Sequence, residues 1–249
     1  MTSIPEVRIH RFDVVGSTNA IALDMAREGE PEGLVVTASA QTRGRGRRGR
    51  VWQDEPGACV LMSVLLTPDL PQSRLPELTF VASLSVAEFL IDSFGVEAML
   101  KWPNDVMVGD RKICGILLET TQTPTGQAAV VGIGLNVNQA GFPPDIADSA
   151  TSLRLEAGRV HAVDAVVEPL AEVLFSNYHA YMSAGFEEIL NRWRKYMWRI
   201  GRRAVVTAGN TTVTGVISGV DCTGALVITD TDGGEHAILA ADEIRFLDD

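Results

Sequence analysis

The chain has 249 residues, of which 46% are hydrophobic and 21% charged, with a formal net charge of -11. That length allows one large domain or one large plus one small, and the composition supplies a packed core and no sign of disorder. The acidic balance excludes a body-wide nucleic-acid surface, which needs a basic face to displace counterions from phosphates, and no apolar run approaches the length of a membrane span.

Residues 7–15 read as a first strand running into Gly16-Ser17-Thr18-Asn19, where Ser17 or Thr18 can cap a helix over 19–28 that stops at Gly29. The three polar side chains serve either as a cap alone or as a face for a ligand. Residues 34–40 form an apolar strand that delivers the chain into Gln41-Thr42-Arg43-Gly44-Arg45-Gly46-Arg47-Arg48-Gly49-Arg50, closed by Trp52. Five of the chain's 21 basic residues fall in these ten positions. A local positive loop on an acidic body calls for an anion: glycines permit close backbone approach, and arginines give bidentate contacts to phosphate or carboxylate. On its own the stretch reads equally as a solvated basic loop or a nucleic-acid arm. With mutual arginine repulsion and no apolar anchor before Trp52, it is expected to be mobile when empty.

Residues 58–66 are the next strand. A Pro-rich connection leads to Pro76, which opens a helix over 77–94 with Gly95 as its stop. Short strands at 98–101 and 106–108 flank Trp102-Pro103-Asn104-Asp105, most economically a hairpin. Residues 112–119 and 128–138 are apolar strands, the second carrying Gly132-Ile133-Gly134-Leu135-Asn136, where glycines inside a strand indicate a closely approaching backbone or ligand. Residues 148–159 read as loop, and 163–184 and 186–197 as two helices. From Arg203 onward, short alternating runs at 204–207, 212–220, 226–229, 235–239 and 243–246, separated by glycine turns, describe a small barrel. The domain boundary falls near residue 200, dividing 1–200 from 201–249. Cys59, Cys114 and Cys222 lack metal-ligand spacing and read as buried free thiols, and the four histidines are scattered.

Lysine is rare. Only Lys101, Lys112 and Lys195 occur, and two of them sit eleven residues apart beside the Trp-Pro-Asn-Asp turn. A compact ammonium suits a negative charge developing at one atom. Together with Asp105 and the arginine loop, these lysines provide what a carboxylate attacking the α-phosphate of ATP requires, which is neutralisation of both anions. The loop can fold over phosphates, Lys112 can bridge carboxylate and α-phosphate, Asp105 can hold a metal or orient a lysine, and Trp52 can stack on adenine. No GxxxxGK[ST] stretch is present, which excludes a Walker-type site, and the glycine loop is too arginine-rich for a dinucleotide fold.

Gln41-Thr42-x-Gly-Arg-Gly-Arg-Arg-Gly-Arg-x-Trp52, Lys101-Trp-Pro-Asn-Asp105, Arg111-Lys112-Ile-Cys-Gly-Ile-Leu-Leu-Glu119 and Gly132-Ile-Gly-Leu-Asn136, in that order, resemble the biotin protein ligases. Ser17-Thr18-Asn19 and Thr151-Ser152-Leu153 sit where that family has them, and the resemblance runs from about residue 8 to 247. It implies an α/β (α+β) fold, with a mixed-sheet catalytic domain carrying helices on one face and a small C-terminal SH3-like barrel. It also implies a two-step reaction in which biotin and ATP, with Mg²⁺, give biotinyl-5′-AMP and pyrophosphate. A lysine of a biotin carboxyl carrier protein, from acetyl-CoA carboxylase or a related carboxylase, then takes the biotinyl group.

By position, Ser17, Thr18, Asn19, Gln41 and the Gly44-Arg45 backbone would surround the biotin rings, and Gly115 and Gly132 would let that pocket close. Lys112 would be the central catalytic residue and touch the biotin carboxylate, while Arg47 would guard the phosphates and the adenylate. Arg50, Lys101, Asn104 and Asp105 would serve ATP, with Asp105 the candidate for Mg²⁺, and Trp52 and Asn136 would contact adenine. Because a first strand begins by about residue 7, there is no room ahead of it for a winged helix-turn-helix. A cytoplasmic ligase without operator DNA or membrane binding is therefore expected, and a homodimer is left open. Lipoate and octanoate ligases share the fold but typically carry an Arg-Arg-x-Ser-Gly-Gly-Gly stretch that is absent here. Two departures stand out, Arg43 in place of a small residue and Ala240-Ala241-Asp242 in place of a glycine-containing turn.

Overall fold

The computed structural model describes residues 5–247, so the outermost positions of the two expected domains, 1–4 and 248–249, lie outside the described residues. Seven strands make the larger sheet: β1 (Arg8–Val15), β2 (Leu34–Gln41), β3 (Cys59–Leu66), β4 (Ala98–Lys101), β5 (Asp105–Val108), β6 (Arg111–Thr123) and β7 (Gly126–Asn136). Their order is β1-β2-β3-β7-β6-β5-β4. Only β1 and β2 run parallel, joined by the crossover helix α1 (Thr18–Arg27), and the other pairings are antiparallel. The Trp102–Asp105 turn closes the expected hairpin, setting Lys101 opposite Asp105.

Helices cover both faces of this sheet, not one face as expected. Helix α1 buries Ala22, Leu23 and Ala26 against Leu34, Val36, Leu65, Ala128 and Val130. The intervening residues Val35, Val60, Met62 and Val64 belong to a second core shared with α2 (Glu77–Phe94) and α4 (Asp164–Ala184). Successive strand residues face opposite sides, so β2 over Leu34, Val35 and Val36 and most of β3 are apolar without alternation, because both of their faces are covered. The one-sided expectation failed because a parallel β1–β2 pair needs a crossover helix, and α1 lies on the face opposite α2.

Residues 148–159 are not wholly loop. Helix α3 (Leu153–Ala157) is capped by Ser152 Oγ, which accepts from the Leu155 N–H at 3.3 Å, and it ends at left-handed Gly158. Helix α5 (Phe186–Arg194) stops before Met197, because the chain turns to pair with β4: Leu100 N–H donates to Tyr196 O and Trp198 N–H donates to Leu100 O. The C-terminal runs form β8 (Arg203–Ala208), β9 (Thr211–Val220), β10 (Leu226–Thr229), β11 (Glu235–Ile238) and β12 (Glu243–Phe246). They pair as an antiparallel sheet in the order β11-β10-β9-β8-β12, and among the described residues no pairing closes β11 onto β12. Cys59 and Cys114 are buried, and burial pushes the Cys59 thiol up to about 12, whereas Cys222 is exposed, contrary to expectation, on the turn between β9 and β10. Among the described residues no helix is long and apolar enough to cross a membrane.

Candidate active site

A cavity of about 460 Å³ opens on the α1 face of the large sheet, beyond the N-terminus of that helix. Along β7, Ala128 and Val130 pack under α1, and the same face then continues as Gly132, Gly134 and Asn136 in the cavity wall. At the α1 end a polar nest is buried. The Thr18 N–H and hydroxyl lie 2.8 and 3.2 Å from Gln41 Oε1, and Ser63 Oγ donates to Asn19 Oδ1 and lies 2.8 Å from Thr18 Oγ1. Asn19 Nδ2 donates to Glu119 Oε2 at 2.8 Å, and the same carboxylate oxygen takes Arg45 Nη2 at 3.0 Å. A Cβ at Gly132 would stand 2.3 Å from Asn19 Oδ1, so any larger residue would push Asn19 out of the nest. Ser17 occupies the N-cap position, but its hydroxyl makes no capping bond, and Gln41 supplies the acceptor instead.

In the middle of the wall the Trp52 indole lies on two glycines paired across β6 and β7, Gly115 and Gly134. A Cβ at 134 would meet the indole at 2.6 Å and one at 115 at 3.1 Å. The two missing side chains make a flat slot. Trp52 Nε1 is buried without a hydrogen-bond partner. Gly44 lies behind the wall, not in it, where its N-terminal part of the loop packs on the Trp52 backbone and its carbonyl accepts the Trp52 N–H at 3.1 Å.

The third region is cationic. Lys112 Nζ stands 2.6 Å from Asp105 Oδ1 and 5.7 Å from the Trp52 ring centroid. Lys101 Nζ lies 4.9 Å over the ring of Trp198, and burial holds its pKa below the ordinary lysine range against the opposing pull of Asp105. Arg47 reaches from the loop to the hairpin turn, where Nη1 donates to Asn104 Oδ1 at 2.9 Å, and Asn104 Nδ2 is itself fixed on Ile116 O. Arg50 completes this wall. Arg48 turns away in a left-handed conformation, φ 58°, and pairs with Asp242, whose other oxygen accepts the Gly209 N–H. Arg43 lies against Gly16.

Residues 12–136 match the biotin/lipoate A/B protein ligase family. The chain is 36% identical over 233 residues to the bifunctional ligase/repressor BirA of Bacillus subtilis, covering 92% of this chain and 71% of that protein. The chain belongs to the biotin/lipoate A/B protein ligase family. It is also 34% identical over 248 residues to a biotin--[acetyl-CoA-carboxylase] ligase of Mycobacterium tuberculosis, covering 95% and 89% of the two chains. Biotin protein ligase from Aquifex aeolicus in complex with biotin and ATP is similar in structure, with a TM-score of 0.84 at 29% identity over 96% of this chain and 99% of that one.

The ligase cavity gathers the side chains picked out in the sequence, with Gly44 behind it. Sequence reasoning missed four residues that hold them. Ser63 carried a signal, as the one hydroxyl in the otherwise apolar β3, and it ties Thr18 to Asn19. Trp198 under Lys101 and Asp242 on Arg48 come from segments distant in sequence, and Gln139, only three residues beyond Asn136, belonged to no motif that marked it. Among the described residues no three carboxylate, histidine or cysteine side chains converge on a metal. A single carboxylate, Asp105, fits a Mg²⁺ that arrives with the nucleotide, because that ion is commonly held by one or two carboxylates plus substrate phosphates.

Proposed function

We propose that this ligase activates biotin with ATP as biotinyl-5′-AMP and transfers the biotinyl group to a lysine of a biotin carboxyl carrier protein of the acetyl-CoA carboxylase type, in the cytoplasm. The observation that carries this reading is one cavity bounded by the polar nest at α1, the Trp52 slot, the Lys112–Asp105 pair and the arginine loop. An acid-bearing tail from one end and a triphosphate from the other meet at a single ammonium.

In the first step a biotin carboxylate oxygen attacks the α-phosphorus, the bond from that phosphorus to the leaving oxygen breaks, and pyrophosphate departs with the electron pair. Lys112 Nζ lies where it can neutralise both reacting anions, while Arg47, Arg50 and Lys101 take charge on the departing phosphates. Thr18, Asn19, Gln41 and Ser17 hold the ring system beneath the Arg45 backbone. Trp52 takes adenine on its face and Asn136 meets its edge. Asp105 and Asn104 serve the phosphates, and Asp105 would hold Mg²⁺, which when bound adds neutralising charge there. In the second step the carrier's lysine amine attacks the activated carbonyl, the carbon–oxygen bond to AMP breaks, AMP leaves and the amine gives up a proton.

Biotin-dependent exchange of labelled pyrophosphate into ATP tests the reading. Exchange with biotin supports it, and exchange confined to lipoate or octanoate would overturn it. Lys112→Ala should lower exchange by about 10²–10³, the scale of removing one preorganised charge-stabilising donor. Near-normal exchange in the folded variant would remove Lys112 from the centre of the reaction.

A further inference from the structure

Asn136 lines the cavity two residues beyond Gly134, next to the Trp52 slot, yet its amide is half committed to the protein. Its Nδ2 donates to Thr151 O at 2.9 Å, and its Oδ1 accepts from Gln139 Nε2 at 2.9 Å. Gln139 is only 3% exposed and stays outside the cavity wall. It is itself held at both ends, since its main-chain carbonyl accepts from Ser152 Oγ at 2.7 Å and its side-chain Nε2 also donates to Cys59 Sγ, a thiol that burial keeps protonated. Its own Oε1 is buried without a partner. Leaving such an acceptor unpaired is unfavourable, a cost that shape-filling alone would not require.

An asparagine amide carries two N–H donors and two carbonyl lone pairs and can be rotated end for end with little change in shape. With Gln139 donating to the oxygen and Thr151 accepting from the nitrogen, rotation would oppose donor to donor and acceptor to acceptor. One N–H and one lone pair remain, in fixed places. On its Watson–Crick edge a 6-aminopurine offers an amino donor beside the N1 acceptor, and the remaining N–H and lone pair of an asparagine amide match that pair. A 6-oxopurine offers there an oxygen acceptor beside an N1–H donor, the reverse pattern. It can be accommodated at both points only if the amide turns over.

We propose that Gln139 is a specificity-determining positioning residue: by holding Asn136 in one amide orientation, it makes the nucleotide subsite accept a 6-aminopurine and reject a 6-oxopurine. This rests on the reading of Asn136 as the residue at the base edge. Sites built around buried hydrogen-bonding groups discriminate strongly because the wrong partner leaves them unpaired.

The test measures biotin-dependent pyrophosphate exchange with ATP and with GTP, and compares the ratio of the two kcat/KM values in the wild type, Gln139→Leu, Gln139→Glu and Asn136→Ala. A ratio does not depend on the fraction of folded enzyme, so partial misfolding cannot imitate the effect. Gln139→Leu should lower the ATP preference about tenfold, as expected for loss of one buried orienting hydrogen bond, with biotin affinity unchanged. Gln139→Glu, which presents an acceptor to Asn136, should lower it further by favouring the turned amide. If Asn136→Ala lowers the ratio but neither Gln139 variant does, the role of Gln139 is refuted while Asn136 keeps its place. If none of the three changes the ratio, the assignment of Asn136 to the base edge fails as well.

Discussion

Lys101 is held by two neighbours of different kinds, Asp105 across the β4–β5 pair and the face of Trp198. Burial lowers its pKa, with Lys112, Arg199 and Arg50 adding to the effect and Asp105 opposing it. If it binds phosphate it must be charged, so adenylation should begin to fall at a pH below the ordinary lysine range. Stability of the ligand-free protein should move the other way. A lysine with a lowered folded-state pKa binds fewer protons folded than unfolded, so its contribution to stability rises as pH passes from the folded toward the unfolded value. Lys101→Arg stays protonated throughout and should push the alkaline limb of the rate profile upward; an unmoved limb would show that Lys101 does not govern it. The rarity of lysine made this residue legible in the sequence. Its support was not legible, because Trp198 is brought beneath it by the chain reversal after α5.

The arginine loop behaves as an element with its own anchors. Arg45 is tied to Glu119, Arg47 to Asn104 and Arg48 to Asp242, so successive side chains reach the polar nest at α1, the hairpin and the C-terminal sheet. The Arg47–Asn104 bond ties the loop to the hairpin in the cavity wall, where on the proposed reading the two substrates meet. Arg47→Gly should therefore release biotinyl-adenylate into solution about tenfold faster or more, since a hydrogen bond to a charged group contributes roughly 1.5–3 kcal/mol. Biotin appearing on bystander lysines, or adenylate in a filtrate, would report it, and an unchanged release rate would rule out the lid role. The loop's charge and glycines announced an anion site directly. The strands were legible for a different reason, since apolar runs bounded by turn residues survive without tertiary knowledge. What stayed hidden was which face each element takes. The placement of α1 opposite α2 follows from strand pairing, not from the composition of either helix.

At the scale of the molecule, the boundary near residue 200 is a division of topology more than of packing. Ala204, Val206, Ile217, Val220 and Leu226 share one core with Phe80, Phe186 and Trp193, Trp102 Nε1 donates to Gly224 O at 2.9 Å, and the Arg194 guanidinium grips Val220 O. We propose that the two expected domains unfold together. Thermal unfolding followed by far-ultraviolet circular dichroism and by tryptophan fluorescence should give coincident midpoints, and two separated transitions would contradict it. The alternation and turns of residues 203–246 announced a small β unit, but contacts across the boundary join residues too far apart in sequence for any local pattern to record.

The Trp52 slot has a consequence of another sort. Trp102 and Trp193 are buried in the core, and Trp198 has Lys101 and Arg199 against its ring, whereas Trp52 borders the cavity with its Nε1 unpaired and Lys112 nearby. A base settling on that indole, or an anion drawing Lys112 away from it, would change the surroundings of Trp52, and a phosphate drawing Lys101 would be felt by Trp198, while Trp193 stays in the core. If the adenine subsite lies on this indole as proposed, the protein carries an optical gauge of its own catalytic cycle.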